Sequence, residues 1–595
     1  MKKLIAQLYR LLNSDEKRKI MVIQIMVLIT SLSEIIAIGS IAPFMAVIGD
    51  MEVLNDGGMI SKLYNWSGLS NPEDFVFFLG VCSVLLLLFG SLVSVFNSWL
   101  TILYGQKIGA GISNRLYSTY LYKSWVEHSI TSSSDLTKKI AQESGRLTNG
   151  IILPLLQMNS KIVLVFFVSV ALLIYNPVVT FFGLCIFVGA YLVIYALFKS
   201  RLHKAGNQLT EVNTSRFKLM SEGFGGIKDI TLFGRQKYYI KRFCCENEKV
   251  VLAQTTVQTL ALIPKYIVEL FAYGSVILLV LYLLKEHSGN LGDILPVLAV
   301  FGLTGFKVLP ALQAVYNSAA KVKGNYAAFE SIKADLKDSQ KLESDSSGDS
   351  IHLQKLIDIN NVFFRYPLKS EYALSDVSLK IPANTTVAFV GASGSGKSTI
   401  IDLIMGLIEP SSGYIKVDEN KLSSKNTVSW QNNIGLVPQT IFLSDSSILE
   451  NIGFGLPIEE IDIQKASKAA KLACLDDFLK ELPEGIYSTV GERGVQLSGG
   501  QRQRIGIARA LYNNAQMLVF DEATSALDSV TEKSIMQSID ALAGQKTLVL
   551  VAHRLSTIKK CDVIYFMEGG KVVDSGTYSQ LVSKNKKFKK LDSLS

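Results

Sequence analysis

Six stretches of this chain, about residues 20–48, 75–104, 151–175, 177–198, 257–284 and 291–316, stay mostly apolar for the roughly 20 residues that a bilayer crossing takes. Hydrocarbon offers no hydrogen-bond partner to a backbone amide, so each such stretch must close its bonds internally as a helix. The chain has 595 residues, too many for one core, so more than one domain is expected. Apolar residues make up 49% and charged residues only 19%, but they are unevenly spread. Beyond about residue 320 the long apolar runs stop and the pattern becomes that of an α/β domain. The net charge of +9 gathers beside the apolar runs, which favours membrane topology over nucleic-acid binding.

Orientation follows from the basic residues in the connections. Lys2, Lys3, Arg10, Lys17, Arg18 and Lys19 precede the first stretch, and Lys107, Arg115, Lys123, Lys138, Lys139 and Arg146 lie between the second and third. The link between the fourth and fifth is basic throughout. By contrast, the 49–74 link holds only Lys62, the Asn176-Pro177 turn holds none and the last outer link holds Lys285. Both chain ends are therefore expected on the cytoplasmic side. The start of the chain, up to Lys19, lacks the layout of a cleaved leader. The two inner links have helical composition and are expected to carry the membrane helices into the cytoplasm. They would turn back near 127–134 and 223–233 through short helices. In the first outer link, Ile60, Leu63 and Tyr64 fall at helical spacing within Met59–Trp66. That piece either lies on the outer membrane face or covers a neighbouring helix.

Ionisable groups inside the stretches cost several kcal/mol unless paired or wet, on the order of +3 kcal/mol on insertion scales. Glu34 lies in the first, Lys265 and Glu269 in the fifth and Lys307 in the sixth. Lys265 and Glu269 are four apart and can pair on one helix face. Lys307 has no local partner, two residues before Leu309-Pro310. A watery cavity for an anionic group, lined by Lys265 and Lys307, stands against plain structural pairing. The six cysteines show neither metal nor disulfide spacing and are expected as free thiols. Residues 330–350 are Ser/Asp-rich with few large apolar groups, which reads as a linker. The expected division is 1–325 for an all-α membrane domain of six spans, 326–351 for the linker and 352–595 for an α/β domain.

The second half carries the chemistry. Gly391–Thr399, with Ala392, Ser393, Gly394 and Ser395 between the glycines, fits G-x-x-x-x-G-K-[ST]: Gly391, Gly396, Lys397 and Ser398 hold the fixed places. The apolar Thr386–Val390 before it reads as a strand, and Ile400–Met405 after it as a helix. In that setting successive backbone N–H groups curl around a polyphosphate at a helix N-terminus. Lys397 would reach the terminal phosphates, and the Ser398 hydroxyl would hold Mg²⁺. Downstream, the apolar run Met517–Phe520 reads as a buried strand that delivers Asp521 and Glu522 to its C-terminal edge, where nucleotides bind in open α/β sheets. One carboxylate can help fix Mg²⁺ while the other polarises an attacking water.

Leu353–Tyr366, the phosphate loop, Gln439 in Leu436–Gln439, Leu497–Gln501, Asp521-Glu522, Ser525–Asp528 and His553 follow one another in an order that resembles the ATP-binding-cassette transporters. Leu497–Gln501 is similar to that family's signature sequence. Six spans followed by one cassette resemble a half-transporter of the exporter type. The resemblance implies a P-loop ATPase acting with ATP and Mg²⁺. It assigns Tyr366 to adenine, Thr399 and the rest of the loop to phosphates, and Ser398, Gln439 and Asp521 to the metal. Glu522 becomes the general base, with His553, Gln439 and Lys397 completing the catalytic set. Ser498, Gly499, Gly500 and Gln501 are implied to act on nucleotide held by a second copy, and Asp528 to border it. The resemblance also makes Thr489–Gly494 a segment that touches the partner's inner loops, and 127–134 and 223–233 coupling helices. An intact catalytic set implies a homodimer, with a heterodimer as the other arrangement.

Within the family, Ser33–Ala37, Pro43-Phe44, Pro264-Lys265 and Phe306–Pro310 resemble flippases of lipid-linked oligosaccharides. Lys265 and Lys307 fall where two of that group's basic cavity residues would, while a third, expected in the second span, is absent from Leu88–Ser91. The implied activity is ATP-driven export of an amphiphilic, anionic lipid-linked glycan or related lipid across a bacterial plasma membrane. Glu34 and Glu269 share the implied cavity. Export of a peptide, a drug-like amphiphile or a lipid A-type glycolipid stands as the alternative, and an ATP-gated channel or non-pumping regulator as the alternative from another class.

Overall fold

A computed structural model describes residues 2–49, 51–54, 58–69, 71–175, 177–286, 291–339, 351–491, 494–522, 529–551 and 558–592. The chain separates into two units, residues 1–123 with 130–343, and residues 124–129 with 344–595.

The first unit is helical. Helix α1 (Lys2–Leu11) buries Leu4 and Leu8 at a spacing of four, with Leu12 just beyond. Helix α2 (Ser14–Gly39) starts where the Glu16 carboxylate accepts the Asn13 backbone N–H at 2.9 Å. It breaks at Ser40 and resumes as α3 (Ile41–Gly49), which carries Pro43 in its first turn, where a missing N–H does no harm. Helix α4 (Met59–Ser67) turns Ile60 and Tyr64 onto Val47, Leu54 and Phe75, with the Tyr64 and Phe75 rings edge to face. Met59 and Trp66 stay 84% and 85% exposed. The 49–74 link thus covers its neighbours with one face and presents large apolar groups on the other.

Helix α5 (Pro72–Leu121) runs 50 residues from a proline at its first position. After α6 (Trp125–Ile130), a single rod rises through α7 (Ser133–Lys138), a π-helical turn at Lys139–Glu143, α8 (Ser144–Leu147) and a second π-helical turn at Thr148–Ile152 into α9 (Leu153–Tyr175). Then follow α10 (Pro177–Gly225), α11 (Ile227–Leu232), α12 (Gln236–Glu286) and α13 (Leu291–Asp338). At 1.5 Å per residue a 50-residue helix is roughly 75 Å long, well beyond a bilayer of about 30 Å of hydrocarbon. Among the described residues Ser14–Gly49, Pro72–Leu121, Ser133–Ile174 and Pro177–Gly225 are long and apolar enough to cross a membrane. The fifth and sixth predicted stretches fall on α12 and α13. Helices α10 and α13 approach backbone to backbone: a Cβ on Gly206 would lie 2.1 Å from the Gly324 carbonyl oxygen.

Two sequence expectations need correction. Residues 326–338, read as the start of a linker, continue α13, because Phe329, Ile332 and Leu336 recur at helical spacing and bury against Leu4, Leu8 and Leu116. Most of the remainder, 340–350, lies outside the described residues. The first inner turn was expected at 127–134; instead the short helix spans Trp125–Ile130, and Ser133 already starts the returning rod. The second, expected at 223–233, is the helix Ile227–Leu232.

The second unit holds two sheets. Strands β1 (Leu356–Phe364), β2 (Leu374–Pro382), β4 (Ser412–Val417) and β5 (Asn420–Lys421) form an antiparallel sheet in the order β2-β1-β4-β5, and β3 (Thr386–Val390) belongs to the other. There β3, β6 (Ile434–Val437), β7 (Met517–Asp521), β8 (Thr547–Val551) and β9 (Val563–Glu568) run parallel, with β10 (Lys571–Gly576) antiparallel at one edge, in the order β10-β9-β3-β8-β7-β6. Strand β8 is buried throughout and β7 up to Phe520, which is why both read as unbroken apolar runs. Trp430 fills the space beneath the helix Lys397–Ile404, and its indole N–H donates to the Ile404 carbonyl at 2.8 Å.

Candidate functional site

Strand β3 ends at Val390 and the helix Lys397–Ile404 begins seven residues later, so Gly391–Gly396 form a tight loop at the C-terminal edge of the parallel sheet. Gly394 and Gly396 stand at φ +77° and +101°, a region that penalises any Cβ. A Cβ on Gly391 would meet the Met567 carbonyl oxygen at 2.2 Å. The loop therefore accepts no side chains at these points and keeps its backbone open to a ligand. The Ser395 hydroxyl is buried without a partner at its base. Lys397 is only 6% exposed, and its ammonium donates to the Gly391 and Ala392 carbonyls at 2.8 and 3.0 Å. Burial pushes this lysine down from its usual range, while Glu522 and Asp521 pull it back up. Ser398 is exposed in the first turn of the helix.

Gln439 follows β6, and Asp521-Glu522 close β7, two strands from β3 in the sheet. The Gln439 amide donates to Glu522 Oε2 at 2.8 Å. Glu522 itself stands at φ +52°, left-handed backbone that a non-glycine residue occupies at a cost of about 1 kcal/mol. Its N–H donates to the Val551 carbonyl at 3.2 Å, pinning it beside the end of β8. The structure thus brings Lys397, Gln439, Asp521 and Glu522 to one sheet edge with the loop Gly391–Thr399. Tyr366 lies at the rim, half-buried, packed edge to face on Phe364, its hydroxyl 3.4 Å from Thr399 Oγ1.

Ser498, Gly499, Gly500 and Gln501 open the helix Gly499–Tyr512. The Ser498 hydroxyl accepts the Gln501 N–H while the Gln501 side chain accepts the Ser498 N–H, so the signature segment caps its own helix and leaves Ser498 and Gly499 exposed. Further along, the Arg509 guanidinium donates to the carbonyls of Asn451 and Phe442, tying this helix to the segment after Gln439; burial pushes it down to about 10. Thr489 pairs with Ser447 across a β-bridge. Asp528, His553, Glu492 and Arg493 lie outside the described residues.

In the first unit, Lys307 does not stand alone. It lies 3.8 Å from Glu34, which also accepts the Ser94 hydroxyl at 2.5 Å, so a partner on another helix supplies what local spacing does not. Lys265 and Glu269 pair along α12 at 3.9 Å. Two residues escaped the sequence reading. Lys161, inside the third apolar stretch, meets the same criterion as Lys307. Asp402, on the phosphate-loop helix, is pushed up to about 6 by burial and then by Asp521, against a hydrogen bond from Trp125. Its signal was an acid in an otherwise apolar helix face.

An amine and two carboxylates, Lys397 with Asp521 and Glu522, thus meet at one sheet edge with a loop whose backbone admits no side chain at Gly391, Gly394 and Gly396. Residues 374–525 match the family described as ABC transporter, and residues 19–307 the ABC transporter transmembrane region. The ABC transporter B family member 14 of Arabidopsis thaliana is 35% identical over 65% of this chain, a match that spans 31% of that relative's length. The ATP-dependent lipid A-core flippase of Salmonella paratyphi A is 32% identical over 70% of this chain and 69% of its own. A bacterial Atm1-family ABC exporter, solved with ATP bound, superposes with a TM-score of 0.78 over 98% of this chain and 99% of that one at 22% identity, a likeness of fold.

Proposed function

Because the chain belongs to the ABC transporter family, we propose that it is an ATP-driven exporter that moves an anionic, lipid-anchored amphiphile across a bacterial inner membrane. One observation carries the reading: Lys397, Gln439, Asp521 and Glu522 converge on a glycine-built phosphate loop in a chain whose other half holds helices long and apolar enough to span a bilayer. The cassette takes ATP with Mg²⁺, which supplies positive charge to the phosphates when bound. Lys397 exchanges its two loop carbonyls for phosphate oxygens, and Ser398, Gln439 and Asp521 hold the metal. Glu522 accepts the proton of the attacking water, and His553 contacts the terminal phosphate. Tyr366 stacks on the base.

Ser498–Gln501 complete the site of a second copy, so the working unit is a dimer, most simply of identical chains. Two nucleotides then bind the closed dimer better than the open one, and that difference drives the switch between inward- and outward-facing states. The short helices at 125–130 and 227–232 act as the coupling elements, and both chain ends are cytoplasmic. Support for a lipid cargo comes from the named flippases among the relatives. Lys265 and Lys307 are half-exposed, with ion pairs longer than hydrogen-bond distance, so an anionic group competes for them. The test is dithionite-protected translocation of a fluorescent anionic lipid in proteoliposomes. Wild type moves it only with hydrolysable ATP, and Lys265→Ala with Lys307→Ala loses transport while basal ATPase persists. Unchanged transport in the double variant refutes the cavity assignment, and ATP hydrolysis without any lipid movement refutes the cargo.

A further inference from the structure

Four helices of the first unit, α9, α10, α12 and α13, leave a cavity of about 400 Å³ between them. Its α10 wall runs from Val178 to Phe187, within roughly 15 Å of the helix end at Pro177. With about 30 Å of hydrocarbon to cross, that wall lies in the half of the bilayer at that end. Phe182, Phe187, Leu278 and Leu312 supply apolar faces, and no ionisable side chain among the described residues lines the space. An anionic head group finds no counter-charge here, which separates this cavity from any seat for the charge of the cargo.

Three glycines keep it open. Gly183, Gly302 and Gly305 line the cavity, and a Cβ built on any of them would meet nothing within 4 Å. Glycine is a poor helix former and protein interiors are otherwise close-packed, so three glycines facing unfilled space leave room for something else. Polar side chains are few: Ser169, Thr180 and Thr304. Thr304 is 1% exposed, yet its hydroxyl reaches no partner among the described residues. A helical threonine can give its proton to a carbonyl one turn back, as Thr30 does to Met26 at 2.7 Å. Thr304 does not, so a buried proton donor borders an apolar space.

Size and chemistry then narrow the occupant. An engineered apolar cavity of about 150 Å³ stays dry and takes up benzene, so 400 Å³ holds about sixteen carbons by the same measure. We infer that this cavity binds an uncharged, hydrocarbon-rich molecule of about that size, with one hydrogen-bond-accepting oxygen along its length that takes the Thr304 proton. The site is independent of what the exporter moves.

Dioctyl ketone and heptadecane test this: they match in length and lack charge, and only the ketone accepts a hydrogen bond. The full chain in lipid nanodiscs is photolabelled with a diazirine-bearing alkane, each compound is titrated as competitor, and labelled peptides are located by mass spectrometry. Label is expected on 178–187 and 301–312, displaced by both compounds. Thr304→Val keeps the side chain's volume and removes its hydroxyl. It should lower the ketone-to-alkane affinity ratio about tenfold, the share of one buried hydrogen bond, with displacement by the alkane unchanged. Taking the ratio between the two proteins cancels each compound's own partition into lipid. Gly183→Leu should abolish the labelling while ATP hydrolysis persists, which shows the variant to be folded. A ratio unmoved by Thr304→Val overturns the inference, because the oxygen is then not read there. Label spread evenly over all the membrane helices, or label that survives both Gly183→Leu and Gly305→Leu, overturns it too, because the cavity is then closed to such a ligand.

Discussion

The two units solve the same problem, placing charge inside a protein, by opposite means. In the cassette two of the polar groups at helix starts are held by neighbours a few residues away, Lys397 by Gly391 and Ala392 and Ser498 by Gln501, while Glu522 takes Gln439 from another strand end. In the membrane unit the partners come from far along the chain: Glu34 takes Ser94 and Lys307, Glu16 takes Arg115, and Asp335 takes Tyr120 and Lys139. Local pairing makes a site that forms wherever strand, loop and helix form. Distant pairing makes one that exists only while the helices keep their arrangement, which suits an element whose task is to rearrange.

The contrast is open to test, from the largest expected effect down. Glu522→Gln should lower ATP hydrolysis by about 10²–10⁴-fold, the usual share of a general base, with nucleotide still retained on the protein. Phosphate release near the wild-type rate would remove Glu522 from that role. In the membrane unit, Arg115→Met leaves the buried Glu16 carboxylate without its cation and should destabilise that unit by about 3 kcal/mol. Adding Glu16→Gln should restore most of the loss, and a thermal melt in detergent that fails to recover would show that the pair is not what holds α2 to α5. Lys397→Ala should weaken nucleotide binding by about tenfold to a hundredfold, read by fluorescent-nucleotide titration, with the melt of the membrane unit unmoved.

The smallest effect concerns Asp402. Its folded value, about 6, lies above its ordinary 3.8, so the folded protein binds the extra proton more tightly. Stability contributed by that proton is present below about pH 4 and lost as pH rises through 6. Asp402→Asn should therefore raise the cassette's melting temperature at pH 8 and leave it unchanged at pH 4. A difference of the same size at both pH values would assign the effect to packing.

Legibility in the sequence followed the same divide. The phosphate loop, β7 with its two acids and the signature helix were readable because each is a short run whose strand or helix pattern is set on the spot. Lys307's partner was not readable, since nothing in Phe306–Pro310 points to a residue more than 270 positions earlier. Lys161 was overlooked inside a run that otherwise reads as lipid-facing. The polar stretch after residue 325 looked like a linker because Lys, Asp and Ser dominate its composition; the three- and four-residue spacing of Phe329, Ile332 and Leu336 outweighs composition there. The kink at Ser40 and the two π-helical turns around Arg146 leave no plain mark, because they answer to packing against other helices.

The burial of Leu4 and Leu8 against Phe329, Ile332 and Leu336 has a consequence for biogenesis. Leu4 and Leu8 leave the ribosome well before these partners, which lie near the end of α13. Until those residues emerge, Leu4 and Leu8 can rest on the lipid surface or on Ile112 and Leu116 of α5, but not on α13. A nascent chain stalled before residue 336 is therefore expected to keep α1 more accessible to proteases than the finished chain does.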